Sequence, residues 1–157
     1  GVLETAHGGV FAGYELTDCR VTLLDGKHHP VDSSEMAFKV AAAQALKEAI
    51  GSVGGTLLEP VMSITVWAPE DHAGDVVSDL NTKRAKIHGI NPDGEMSVVE
   101  AEVPLAEVQR YASDLRSITQ GRGAFTLAFD HYGEVPGQIA QKVVAEHRKQ
   151  VEEAHTR

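Results

Sequence analysis

The sequence predicts an α+β chain: a partial βαβ-type unit, then a complete βαββαβ sandwich, then a C-terminal helix. Three observations carry that reading. Apolar residues alternate in three stretches after residue 58, with helical spacing between them; a capping box opens an alanine-rich segment at residue 32; and a glycine-rich run at 51–55 separates the two patterns.

Composition bounds the rest. With 157 residues, 42% of them hydrophobic and 24% charged, the chain can bury a core as one ordinary domain or two small ones. No apolar run approaches the roughly 20 residues of a bilayer span and no signal segment opens the sequence, so the expectation is a cytoplasmic protein with no membrane partner. Cys19 stands alone, which excludes a disulfide scaffold or a thiolate zinc cluster. A formal charge of −9 argues against a free-standing nucleic-acid binder, leaving local basic clusters as the exception.

Taken in order, Val2 to His7 reads as the last turns of a helix stopped by Gly8-Gly9, which predicts a fragment of something longer. Leu16 to Leu24 mixes β-branched and polar residues before Asp25-Gly26 and predicts a strand, with a turn or loop at 25–31. Asp32-Ser33-Ser34-Glu35 fits a capping box with Asp32 as N-cap, so a helix is expected from about 33 to 50, ended by Gly51. Its stripe is Met36, Val40, Ala43 and Lys47, with Phe38, Ala41, Ala45 and Ala49 alongside. The boundary follows at 51–57, giving parts at 1–56, 57–136 and 137–157.

Beyond it the outline is strand, helix, strand, strand, helix, strand. Met62, Ile64 and Val66 alternate up to Pro69; a helix from about Glu70 carries Ala73, Val76, Val77, Leu80 and Ile87 before Gly89. Asn91-Pro92-Asp93-Gly94 is a turn, Val99, Ala101 and Val103 alternate again, and Pro104 opens a helix through Leu105, Val108, Ala112, Leu115 and Ile118. Phe125, Leu127 and Phe129 make the last strand, which completes a ferredoxin-like sandwich with both helices on one face. Gln138 to Glu153 reads as a charged helix fraying towards Arg157.

Two basic clusters interrupt the acidic background. Lys27-His28-His29 sits in the loop before the capped helix, where it is either a solvated loop or a contact to phosphates and bases. Two adjacent histidines without a third ligand at familiar spacing make a poor metal site. Lys83, Arg84 and Lys86 fall at the expected helix end, where the helix dipole alone favours cations and a phosphate contact is the sharper alternative. Neither cluster is catalytic. His29 near Ser33 and Ser34 does not establish a nucleophile and base, since the capping role accounts for the serines. Thr119-Gln120-Gly121-Arg122-Gly123 lacks the lysine and hydroxyl residue of a phosphate-binding P-loop, so no nucleotide hydrolysis is assigned to this chain.

Longer runs carry a resemblance. Val21 to Lys39, reading VTLLDGKHHPVDSSEMAFK, and Leu58-Glu59-Pro60-Val61-Met62 are similar to the fourth domain of bacterial elongation factor G and the junction after it. Gly74 to Asn81, Val103 to Glu107, Tyr111 to Gly123, and Phe129-Asp130-His131-Tyr132 with Val135-Pro136 resemble its fifth domain, to about residue 145. The resemblance implies the second half of domain IV and all of domain V of a translational GTPase. GTP and Mg would then bind upstream domains. It implies ribosome-dependent translocation of tRNA and mRNA, with Lys27, His28 and His29 facing the decoding region and the family's tip histidine falling on His29. For Lys83, Arg84 and Lys86 it implies large-subunit rRNA near the stalk-base protein, the whole acting as a monomer.

Departures mark a divergent member: Lys27-His28 where a serine-tyrosine pair is common, Thr82-Lys83-Arg84-Ala85-Lys86 in place of arginine-arginine-glycine, and Gln109-Arg110 in place of phenylalanine-glycine. A paralogue acting in ribosome recycling or protection is the same-class alternative. A stand-alone ferredoxin-like module binding a metabolite is the alternative of another class.

Overall fold

The structure, a computed structural model, describes residues 1–155. They fall into two compact units, Leu58–Glu134 and Gly1–Leu57 together with the segment from Val135 onward.

In the unit 58–134, strand β1 (Leu58–Pro69) is followed by a 3-10 turn at Glu70–His72 and helix α3 (Ala73–Thr82). Strands β2 (Lys86–Asp93) and β3 (Met96–Pro104), a second 3-10 turn at Leu105–Glu107, helix α4 (Tyr111–Thr119) and strand β4 (Ala124–Glu134) complete it. The order β2-β3-β1-β4, with every neighbouring pair antiparallel, is the ferredoxin-like sheet the alternation predicts.

Alternation decides which face is buried. Ile64, Val66 and Ala68 of β1 point to the same side as Val99, Ala101 and Val103 of β3, and the register sets Ile64 opposite Ala101 and Val66 opposite Val99. The helices add residues four apart to that side, Val76 and Leu80 from α3, Tyr111 and Leu115 from α4. The Tyr111 ring meets Phe125 of β4 edge to face, with centroids 5.1 Å apart. Each fully buried Val, Leu or Ile among them contributes about 1.5–3 kcal/mol of transfer free energy.

The expected helix through Ile87 to Gly89 is not formed. α3 stops at Thr82, whose hydroxyl donates to the Asp79 carbonyl at 2.6 Å, and Arg84 takes a left-handed φ of 60° that turns the chain into β2. Ile87 lies seven residues beyond Leu80, a spacing a helix would also satisfy, so periodicity extended the helix over what is β2. Ile87 instead pairs with Ala101 of β3.

The other unit is leaner. Helix α1 (Val2–Gly8) ends at Gly9, at φ 78°, as the double glycine predicts. Helix α2 (Glu35–Val53) begins two residues later than expected: Ser34, not Asp32, is the N-cap, its hydroxyl accepting from the Ala37 N–H at 3.1 Å. Gly51 lies inside the helix, which is closed instead by Gly54 at φ 82°. The strand expected at Leu16–Leu24 is absent. A strand needs a ladder partner, no described segment of the unit offers one, and Leu23 and Leu24 stand 88% and 91% exposed.

Helix α5 (Gly137–His155) belongs to this unit and buries Val144. Its His147 ring lies where a Cβ on Gly13 would come within 2.6 Å, and Gly13 also has φ 75°, so both space and conformation require glycine there. The fraying expected towards Arg157 lies outside the described residues.

Candidate nucleic-acid interface

The loop between residues 25 and 34 is built from its own polar side chains. Asp25 Oδ1 accepts from the Gly26 N–H at 2.7 Å, an Asx contact that turns the chain towards Lys27. Lys27 and His28 are exposed and make no hydrogen bond or ion pair with any described residue. His29 is different. Its N–H donates to Ser33 Oγ at 2.7 Å and its carbonyl accepts from the Ser33 N–H at 3.1 Å, closing a five-residue ring over Pro30. Its Nδ1 lies 3.3 Å from Asp32 Oδ2 and 3.4 Å from the Val31 N–H. All three cluster residues are therefore together on one exposed loop, two with unpartnered heads and one held.

Asp32 and Ser33 were legible in the sequence only as capping residues. The structure gives the cap to Ser34 and turns Asp32 and Ser33 back onto His29. The i+3 and i+4 spacing across a proline is the signal that marks them.

The second cluster separates into two kinds of cation. Lys83 Nζ lies 2.9 Å from Asp79 Oδ1 and 3.1 Å from Asp114 Oδ2, tying α3 to α4 with its side chain only 16% exposed. Burial pulls its pKa down, but the bonds to Asp79 and Asp114 prevail and hold it above its ordinary value. Arg84 grips Glu59 of β1 with two nitrogens, at 2.7 and 3.0 Å, and Glu107 with Nε at 2.8 Å. The bond to Glu59 is the chief reason its pKa is raised, against an opposing effect of burial. Both cations are thus paired with carboxylates within the unit. Lys86, exposed at the start of β2 and opposite Glu102 in the ladder, makes no side-chain hydrogen bond or ion pair with any described residue.

Beside this network Tyr111 Oη and Asp79 Oδ2 are buried without a hydrogen-bond partner, and burial, then the charges of Asp79 and Asp114, raise the Tyr111 pKa. The loop Thr119–Gly123 also holds a cation absent from either sequence cluster: Arg122 Nη2 is 2.8 Å from His72 Nε2 and 3.7 Å from Asp71. Its turn depends on Gly123, whose N–H donates to Thr119 Oγ1 at 2.9 Å and whose missing Cβ leaves room for that hydroxyl. Among the described residues no three His, Cys, Asp or Glu side chains converge as a metal site, and no helix is long and apolar enough to cross a membrane.

Comparison with known proteins places these two units. The family model "Elongation factor G, domain IV" matches residues 1–53, and "Elongation factor G C-terminus" matches residues 56–143. The chain is 50% identical over 146 residues to the elongation factor G of Aquifex pyrophilus, covering 93% of this chain and 21% of that protein. A crystal structure of a Thermus thermophilus protein superposes with a TM-score of 0.78 at 43% identity, over 94% of this chain and 22% of that one. The chain thus spans about a fifth of the length of the relatives it matches. Two family matches in succession, each on a segment whose structure has just been described, establish that this chain belongs to the elongation factor G family.

Proposed function

We propose that the chain is the C-terminal part of a translational GTPase that promotes GTP-dependent movement of tRNA and mRNA on the ribosome in the cytoplasm. The loop Lys27-His28-His29 contacts RNA of the decoding region. The observation that supports this reading is the loop itself, in which two exposed heads lie free beside a histidine fixed through its backbone. An ammonium seeks phosphate, and imidazoles pair with phosphate oxygens or ribose hydroxyls. A protein of net charge −9 that leaves such a group unpaired keeps it available for an anionic partner.

In the unit 58–134 the same argument selects Lys86 as the residue facing large-subunit rRNA near the stalk base. Lys83 and Arg84 hold the unit together behind it. GTP and Mg would be held by domains outside this chain, whose own glycine-rich loop lacks the lysine and hydroxyl residue of a P-loop. The work of this segment is mechanical: contacts made in the post-translocation arrangement and not before it bias the ribosome towards that state. The factor acts as a monomer on one ribosome.

The test is a single round of translocation with the full-length factor carrying Lys27→Ala and His29→Ala. Translocation slows while ribosome-stimulated GTP hydrolysis stays near the unsubstituted rate. Parallel loss of both activities contradicts a contact role for the loop.

A further inference from the structure

We propose that Asp25-Gly26 is a site of spontaneous covalent modification, at which Asp25 isomerises to isoaspartate and shifts the loop that carries Lys27, His28 and His29. The modification rests on the chemistry of this one peptide bond; its effect on RNA contact rests on the function proposed above.

Two aspartates in the sequence are followed by glycine, Asp25-Gly26 and Asp93-Gly94. In both, the glycine nitrogen has no side chain beside it to obstruct attack on the aspartate carboxyl carbon, Cγ. Both aspartates are exposed, so neither exposure nor the dipeptide separates them. The backbone does. Asp93 ends β2 in register with Met96 of β3, and Gly94 is set at φ 66° in the two-residue turn between the strands. Attack there requires the Asp93 peptide to turn out of the ladder. Residues 17–28, by contrast, make no backbone-to-backbone hydrogen bond with any described residue, and nothing lies within 4 Å of where a Cβ on Gly26 would stand. Rotation of the Asp25 peptide therefore breaks no ladder, and a ring formed at this point meets no neighbour.

The side chain is already folded over its target. Asp25 Oδ1 accepts from the Gly26 N–H at 2.7 Å, which leaves Cγ one covalent bond from an atom in contact with the attacking nitrogen. The nitrogen adds to Cγ, and the carboxyl in its neutral form gives up its hydroxyl, which leaves as water with the amide proton. Solvent water then reopens the five-membered succinimide. Cleavage between nitrogen and Cγ restores aspartate; cleavage between nitrogen and the main-chain carbonyl carbon gives isoaspartate, in which the chain runs through Cβ and Cγ. Water is released and then consumed, so the net change is an isomerisation at constant mass. It adds one atom to the main chain two residues before Lys27 and removes the Asx contact, because the former side-chain carbonyl now belongs to the peptide. Lys27 and His28 are displaced relative to His29, which Ser33 still holds by its backbone. A loop free enough to offer its cations to a partner is, for the same reason, free enough to age.

The test is site-resolved peptide mapping of the full-length factor incubated for weeks near neutral pH, with electron-based fragmentation to tell the two linkages apart at equal mass. In the folded factor isoaspartate accumulates at Asp25 several-fold faster than at Asp93, and at similar rates at both once the factor is denatured. Gly26→Ala, whose methyl meets nothing, slows the accumulation at Asp25, and Asp25→Glu, whose longer side chain cannot close the five-membered ring, abolishes it. No isoaspartate at Asp25, or equal amounts at the two sites in the folded factor, overturns the proposal. The same excess at Asp25 in the denatured factor also overturns it, since the fold would then not be what distinguishes the two pairs. This readout needs no ribosome.

A second readout reaches function. The aged factor slows in a single round of translocation and keeps its ribosome-stimulated GTP hydrolysis, while Asp25→Glu aged alongside it keeps the rate it had when fresh. An equal loss in aged Asp25→Glu overturns the claim that Asp25 is responsible. A fully isomerised factor that translocates normally contradicts the RNA-contact reading of the loop instead, leaving the mapped modification as it stands.

Discussion

Eleven buried residues form one continuous core in the unit 58–134, whereas Ala12, Leu46 and Val144 are the buried apolar residues described in the other unit. The sheet supplies this difference. A four-stranded antiparallel ladder satisfies its backbone internally and offers a flat apolar face that two short helices can cover. The N-terminal unit has helices and a long loop but no strand among its described residues, and α2 leaves Met36, Phe38 and Val40 exposed. The candidate contact loop at 27–29 is therefore carried by the thinly packed unit, while in the dense unit Lys83 and Arg84 are paired with its own carboxylates.

The largest expected effect sharpens that contrast. Leu80→Ala removes a fully buried side chain from the dense core and costs about 3–5 kcal/mol, while Leu46→Ala, with few buried neighbours, costs about half as much. Trp67 is the only tryptophan and lies in β1, so denaturant unfolding followed by its fluorescence reports the dense unit directly. Equal losses by circular dichroism for the two substitutions would break the comparison.

Arg84→Ala comes next. It leaves Glu59 and Glu107 facing each other without a cation, at a cost of about 2–3 kcal/mol, which corresponds to losing charge-assisted bonds in a partly shielded site. The same fluorescence midpoint measures it. If Arg84 were an exposed cation awaiting phosphate, the midpoint would hardly move.

Tyr111→Phe is expected to be neutral or stabilising by up to about 1 kcal/mol, because it deletes a buried hydroxyl that has no partner and keeps the ring against Phe125. Alkaline unfolding reads the same site. Tyr111 and Lys83 both hold their protons more tightly folded than unfolded, so above about pH 10 the native state binds more protons and stability falls as pH rises. The fall should be shallower in Tyr111→Phe. A clear destabilisation by that substitution at neutral pH would mean that the hydroxyl is bonded after all.

The sheet was legible because β1, β3 and β4 alternate strictly, and Pro69 and Pro104 punctuate the entry to each helical stretch. β2 was not, since its one apolar anchor in register, Ile87, also continues the helical stripe of Val76 and Leu80. The break depends on Arg84 adopting a left-handed conformation that side-chain spacing does not encode. The cap at Ser34 was missed for a related reason: Asp32, Ser33 and Ser34 all offer a cap, and the contacts of Asp32 and Ser33 with His29 leave it to Ser34. The loop 27–29 was visible as a charge cluster, whereas the neutralisation of Lys83 and Arg84 needed carboxylates as far away in sequence as Glu59 and Asp114, which no local motif connects.

Amide hydrogen exchange of the whole chain, resolved by segment, tests the division most directly. Amides of β1 and β3 at 62–66 and 98–103 are expected to exchange only by opening of the whole unit, those of α2 sooner, and residues 20–31 soonest of all. Protection in α2 equal to that of β1 would contradict the division, by showing that the unit carrying Lys27, His28 and His29 is as firmly built as the sheet.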